Sequence, residues 1–342
     1  MKTVGIGVIG CGMIAETYHL PALAKCEGAR LITACDALAE RGEFIGRKFR
    51  FENWTNDYHD VLNHPEIEAV FILTKSSTHR LLAEAAAKAG KHIFMQKSIT
   101  DNLADAEKLL ETVKACGVQF TVSFMHRYFD ECVKGAELLR QNVLGELQQV
   151  RIQNCTKNPY ETAPSYGGCI LDIGSHGIDL VNALFGSRIQ AVLALEFDRQ
   201  SAAIGSGTDT ESELAGTERF ATLLYELEDK KRVLHEINWS SPSHISRFQV
   251  DIVGKDASMY IRNPQAQEGL AIAKIPSRQG EQSVWEYPSY EKTELGQRQH
   301  QLFIDDIRYA KTESLPGEAA YEVLKVVRAA KKSMQSGAWE RA

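Results

Sequence analysis

Residues 4–15, VGIGVIGCGMIA, place an apolar run, a glycine-dense turn and the start of a helix-like segment in direct succession. A strand that ends in a glycine turn and re-enters as a helix aims backbone N–H groups and the positive helix end at one point, where a pyrophosphate can bind. Two overlapping patterns are present. Gly5-Ile6-Gly7-Val8-Ile9-Gly10 matches GxGxxG, but too little chain precedes it to form a strand. Gly10-Cys11-Gly12-Met13-Ile14-Ala15 matches GxGxx(G/A), follows the strand VGIGVI and opens the segment MIAETYHLPAL. The second is the better reading: Gly10 for the tight turn, Gly12 for close approach of the pyrophosphate, Ala15 for helix–strand packing. Asp36 ends the second strand candidate. A carboxylate there accepts from ribose hydroxyls and repels a 2′-phosphate, and Ala37 rather than arginine follows, so NAD is expected and NADP is less favoured. The plain alternatives are an ordinary glycine turn and a helix-capping Asp36.

The first 124 residues alternate between strand and helix patterns. Strands are expected at Val4–Ile9, Arg30–Cys35, Ala69–Leu73, His92–Met95 and Val118–Phe124. Helices are expected at Ala15–Lys25, Ala37–Phe49, Arg80–Ala89 and Asn102–Ala115, the last capped by Asp101 or Asn102. Such alternation predicts a parallel sheet covered on both faces. After residue 125 the pattern becomes two-residue alternation, at Leu147–Gln153, Ala191–Phe197, Phe220–Glu226, Arg232–Asn238, Phe248–Val253 and Met259–Ile261, which predicts antiparallel strands. Ser201–Gly216 reads as a loop and Glu318–Gln335 as a closing helix. The fold class is therefore α/β: an N-terminal Rossmann domain (1–124), then an α/β domain with an open, mostly antiparallel sheet (125–342).

Composition narrows the function. A net charge of −6 without a long basic run excludes a nucleic-acid partner held through phosphates. Seven scattered cysteines with no CxxC pair suit a reduced, cytoplasmic chain without structural zinc. The N-terminus resembles a signal peptide only superficially, since its apolar run is dense in glycine and soon meets Glu16. No stretch approaches the ~20 apolar residues of a membrane span, so no membrane partner is expected.

Two further segments carry chemistry. Phe94-Met95-Gln96-Lys97-Ser98-Ile99-Thr100 sets a lysine after a strand, between an amide and a hydroxyl. Gly167-Gly168-Cys169-Ile170-Leu171-Asp172-Ile173-Gly174-Ser175-His176-Gly177-Ile178-Asp179 has the form GGxxxDxGxHxxD. With the glycine loop, these make the chain resemble the glucose–fructose oxidoreductase, inositol dehydrogenase and rhizopine-catabolism (Gfo/Idh/MocA) family over nearly its whole length. AGKHIFMQKSIT resembles the family's AGKHVxxEKPxA. Thr74-Lys75-Ser76-Ser77-Thr78-His79 resembles its T-P-(N/S)-x-x-H segment beside the cofactor, with Lys75 where proline is usual. The resemblance implies oxidation or reduction at a hydroxyl carbon of a sugar or polyol with NAD(P). It implies Lys97, Asp172 and His176 as catalytic residues. The expected cofactor contacts are Gly10, Gly12, Met13, Ile14, Asp36, Thr74, Ser76, His79, Gln96 and Lys97. The expected substrate contacts are Lys97, Arg127, Asp172 and His176. No metal is expected. A homodimer or homotetramer is expected, through an apolar face of the second sheet.

The residue chemistry agrees with that reading. Asp172 and His176 are spaced i, i+4, so on an α-helix both would share a face. An imidazole with a pKa of ~6.5 is a natural base for a hydroxyl proton, and Lys97 can stabilise developing alkoxide character. His176 and His79 as packing residues, and Arg127 as a domain-junction ion pair, are the plain alternatives. Gln96 for the usual glutamate removes an anion that would favour the ammonium form of Lys97. Ser98 for proline relaxes a backbone constraint. Rival functions are an NAD-dependent glycosidase working by transient oxidation and elimination, and a non-catalytic NAD-binding sugar-sensing regulator.

Overall fold

The first strands lack alternation: β1 (Val4–Ile9) is buried at every position. Such a strand must be covered on both sides. The computed structural model describes residues 2–156, 167–196, 218–239, 248–262, 269–275 and 283–342. Contacts divide the chain into two units, Met1–Met125 with Thr293–Tyr321, and His126–Lys292 with Glu322–Ala342. The sequence-based division at 124/125 did not include the returning segment 293–321.

In the first unit β1 is followed by a π turn (Ala15–His19) and α1 (Leu20–Leu23). Then come β2 (Ala29–Cys35), α2 (Ala39–Phe49), β3 (Asn53–Thr55), α3 (Tyr58–Asn63), β4 (Ala69–Ile72), α4 (Ser76–Lys88), β5 (His92–Gln96), α5 (Leu103–Cys116) and β6 (Phe120–Ser123). The strands form one parallel sheet in the order β3-β2-β1-β4-β5-β6. This is the doubly wound dinucleotide-binding order, with the reversal beside β1. Asn102 caps α5 by accepting from the Asp105 N–H, and Gly117 closes it in the left-handed region. One face of the sheet is covered by a core of Val4, Ile6, Val8, Leu20, Leu23, Phe71 and Phe94, joined by Phe303, Ile304 and Ile307 from the returning segment.

The second unit holds α6 (Asp130–Arg140), β7 (Leu147–Cys155), a second π turn (Ile170–Gly174), α7 (Ser175–Phe185), β8 (Ile189–Glu196), β9 (Phe220–Leu227), β10 (Arg232–Asn238), β11 (Phe248–Gly254), β12 (Ala257–Arg262), β13 (Leu270–Lys274) and β14 (Trp285–Glu286). The helix α8 (Gln297–Tyr309) returns to the first unit, and α9 (Glu318–Ser336) and β15 (Glu340–Arg341) end the chain. The second sheet runs β14-β13-β12-β11-β7-β10-β9-β8-β15, antiparallel throughout except for the β7–β10 pair. β9 to β12 alternate between buried and half-buried positions, apart from the exposed Arg232 at the start of β10. The half-buried face is not uniformly apolar, contrary to the sequence expectation. Leu193, Leu195, Leu224 and Leu234 stand at one end, whereas the Arg151–Glu236 and Arg262–Asp251 ion pairs occupy the other. The predicted loop Ser201–Gly216 and the end of the predicted strand at Phe197 lie outside the described residues.

Candidate active site

The glycine loop shows why glycine is needed. Gly10 has φ +96, and a Cβ on it would lie 2.8 Å from the Leu73 carbonyl carbon. A Cβ on Gly12 would meet nothing within 4 Å, so the backbone there borders open space. The chain then enters the π turn, with Ala15 fully buried and Met13 largely exposed. Asp36, beyond the end of β2, accepts from the Cys11 N–H at 2.8 Å and from the Leu38 N–H at 3.0 Å. One carboxylate thus braces the loop and turns the chain into α2. Each oxygen retains acceptor capacity beyond these bonds, as ribose hydroxyls would require. These residues fit a dinucleotide.

Beside the loop, Thr74 follows β4 and Ser76 opens α4. The Thr74 hydroxyl accepts from Thr78 at 2.8 Å. His79 is fully buried, with Nδ1 2.6 Å from the Ser98 carbonyl and Nε2 3.1 Å from the Thr74 carbonyl. Burial lowers its pKa, while the two carbonyls work in the opposite direction. Its ring ties the loop after β4 to the residue after Lys97. Gln96 ends β5, and Lys97 follows half-buried, joined to Ser98 by a cis peptide bond. Lys97 therefore stands at the carboxyl edge of the parallel sheet, the edge that carries the glycine loop.

In the second unit Asp172 lies in the π turn and is half-buried, and His176 lies in α7 with 8% exposure. The segment is helical, which is the condition for the i, i+4 pair to share a face, but the wider π turn changes that stacking. Of the two π turns described in the chain, one starts at Ala15, where the glycine motif ends, and the other lies within the GGxxxDxGxHxxD segment. Gly174 and Gly177 are there for closeness. A Cβ on Gly177 would lie 2.4 Å from the His235 ring and 2.5 Å from Asn154 Oδ1. Tyr225, His235 and Asn154 form a buried chain, at 2.8 Å for each hydrogen bond. Arg127 donates from Nε and Nη2 to the two carboxylate oxygens of Asp179, each at 2.7 Å. Burial opposes the guanidinium charge and the Asp179 carboxylate more than offsets this, so the pKa of Arg127 is raised. Sequence reasoning missed His126, whose ring packs 4.5 Å from that of His176. It also missed His19, whose only signal was its place one helical turn beyond Ala15.

Comparison with known proteins follows this geometry. The oxidoreductase family's NAD-binding Rossmann fold matches residues 4–124, and the family's C-terminal alpha/beta domain matches residues 136–340. The chain belongs to the Gfo/Idh/MocA oxidoreductase family. Among relatives in this family, scyllo-inositol 2-dehydrogenase (NAD(+)) of Bacillus subtilis is 32% identical over 194 residues, covering 55% of this chain and 56% of that protein. Myo-inositol 2-dehydrogenase of Thermotoga maritima is 29% identical over 191 residues, covering 55% and 57%. The chain thus spans a little over half the length of these curated relatives. Among solved structures, apo scyllo-inositol dehydrogenase from Lactobacillus casei superposes with a TM-score of 0.78 over 99% of this chain and 98% of its own, at 22% identity, a likeness of fold. Among the described residues no helix is long and apolar enough to cross a membrane.

Proposed function

We propose that the protein is an NAD-dependent dehydrogenase acting on a secondary hydroxyl of a sugar, inositol or related polyol. The carrying observation is the cofactor cradle: a left-handed Gly10, open space beside Gly12, and an Asp36 carboxylate braced against the loop, with Lys97 at the same sheet edge. In open parallel sheets ligands bind at this edge. The inositol dehydrogenases among the relatives support the polyol class.

The nicotinamide, when bound, supplies the hydride acceptor. Gly10, Gly12, Met13 and Ile14 would hold the pyrophosphate, Asp36 the ribose hydroxyls, and Thr74, Ser76 and Gln96 the rest. Asp36 with Ala37 favours NAD over NADP. His79 would act from behind, by fixing the backbone beside Lys97. In the reaction His176 takes the hydroxyl proton, Lys97 donates to the reacting oxygen as negative charge develops, and Asp172 orients the substrate. Arg127 would support this through Asp179, which stands three residues beyond His176.

The test is NADH formation across a panel of inositols, sugars and sugar acids, with NAD and NADP in separate arms and Lys97→Ala alongside. Turnover with NAD that falls by about 100-fold or more in the variant, on the order of the effect of losing one donor to a developing oxyanion, is the expected result. Glycoside cleavage with no net NADH, or cofactor binding with no turnover on any substrate, would reject it.

A further inference from the structure

The proposed roles leave unused a buried polar file in the first unit. His19 Nε2 lies 3.2 Å from Oε1 of Gln96, and His19 Nδ1 lies 2.9 Å from Nε2 of His300. His300 Nδ1 in turn contacts the Gly296 carbonyl. Both imidazoles are fully buried. A second file runs alongside: Gln299 donates to the Tyr18 hydroxyl at 3.0 Å and accepts from the Ser123 hydroxyl at 3.2 Å. Consecutive residues of the π turn, Tyr18-His19, and of α8, Gln299-His300, thereby hold the ends of β5 and β6. Gln96 shares its face of β5 with Phe94, whose ring packs against both histidines.

The protons in this file are constrained by geometry. A carbonyl only accepts, so His300 carries its proton on Nδ1 and, when neutral, offers a lone pair from Nε2. The 2.9 Å contact then takes its proton from His19 Nδ1. One proton lies between the two nitrogens, so both rings cannot be charged together. What remains is His19 Nε2. In a neutral ring it needs a donor, and in a charged ring it needs an acceptor. An amide meets either need by a half-turn, whereas a carboxylate only accepts. With a neutral ring the amide turns its nitrogen to His19, opposite to the Oε1 contact above. Among the described residues, the titratable groups facing the pair are each other and the Tyr18 phenol, and Phe71, Phe94 and Phe303 supply much of the remaining wall. Burial, with His300 close by, lowers the pKa of His19 well below its usual value, and burial lowers that of His300 to about 4.

We propose that His19 and His300 are positioning residues, a neutral imidazole pair that holds the Gln96 amide and with it the strand end bearing Lys97. The amide at position 96 is what leaves the pair uncharged, since an acid there would draw a proton onto His19. The inference rests on the proposed function only through the role of Lys97.

The experiment is long-range nitrogen–proton NMR of the imidazoles in the full chain between pH 8 and 5, with no substrate. Native protein, Gln96→Glu and His19→Gln are compared. In the native protein both rings should stay neutral, each with its proton on Nδ1, down to pH 5. In Gln96→Glu one ring should be charged at pH 7. A native His19 that titrates near pH 6.5, or Gln96→Glu with both rings neutral, overturns the neutral-pair claim. The native tautomers decide this even if a variant fails to fold. The positioning claim is read by labelling Lys97 with an amine reagent, where His19→Gln should change its rate at least threefold relative to the exposed Lys311. An unchanged ratio overturns that claim. Neither readout needs turnover, so absence of dehydrogenase activity would sink the functional reading and leave both results standing.

Discussion

Arg127 meets Asp179 through two parallel hydrogen bonds, with Asp179 1% exposed. A buried pair of this kind adds little beyond the hydrophobic alternative, but removing one partner strands a charge at a cost of about 3–5 kcal/mol. Asp179→Asn is therefore expected to lower stability by about 3 kcal/mol, read as a shift in the urea midpoint. A shift worth less than about 1 kcal/mol would mean that the guanidinium finds other solvation. Both residues were visible in the sequence, Asp179 as the last letter of a motif and Arg127 as a residue after the last strand of the first sheet. Their pairing was not, because 52 positions separate them. His126 was hidden for the same reason. Nothing local marks a histidine that will pack against another one so far along the chain.

Elements were legible where apolar residues form a bounded run or follow a period. β1 and β10 have the predicted bounds, and α5 begins after the predicted cap. α8 was not read, because polar residues fill its buried face: Gln299, His300, Asp306 and Arg308 are buried with Phe303 and Ile304. Their hydrogen bonds satisfy them, and the apolar period that marks a helix is lost. β3 was missed as a three-residue strand at the sheet edge. A helix at α7 entered only as the condition under which Asp172 and His176 share a face, and the π turn before it was not read, since no residue type announces an extra residue in a turn. The close seat of α7 can be tested. Gly177→Ala would press a methyl group into His235 and Asn154. A loss of about 1–3 kcal/mol, typical of overpacking, is expected in denaturant unfolding. An unchanged midpoint would show that the seam has room to give.

For the whole molecule, the buried imidazoles set the response to acid. Burial, with His126 nearby, lowers the pKa of His235 to about 3, and burial lowers that of His300 to about 4. The unfolded rings take up protons near pH 6.5. The folded rings do not, so stability from this source is complete above about pH 6.5 and is lost as pH falls towards 4. For His300 alone the loss is on the order of 3 kcal/mol. Denaturant midpoints should fall steadily from pH 7 to 5, before most carboxylates titrate, and a flat profile over that range would contradict the assignment. The parallel pairing of the first sheet was foreseeable from its alternation of strand and helix patterns, and the antiparallel second sheet from its two-residue period. The return of residues 293–321 to the first unit was not, because no local pattern states which sheet a late helix will cover.

That return bears on the order of events at the ribosome. Phe303, Ile304 and Ile307 belong to the same apolar cluster as Val4 and Ile6. Domains ordinarily fold as they emerge, N-terminal part first. Here the first unit must wait, with one flank of its core uncovered, until residue 307 has been made.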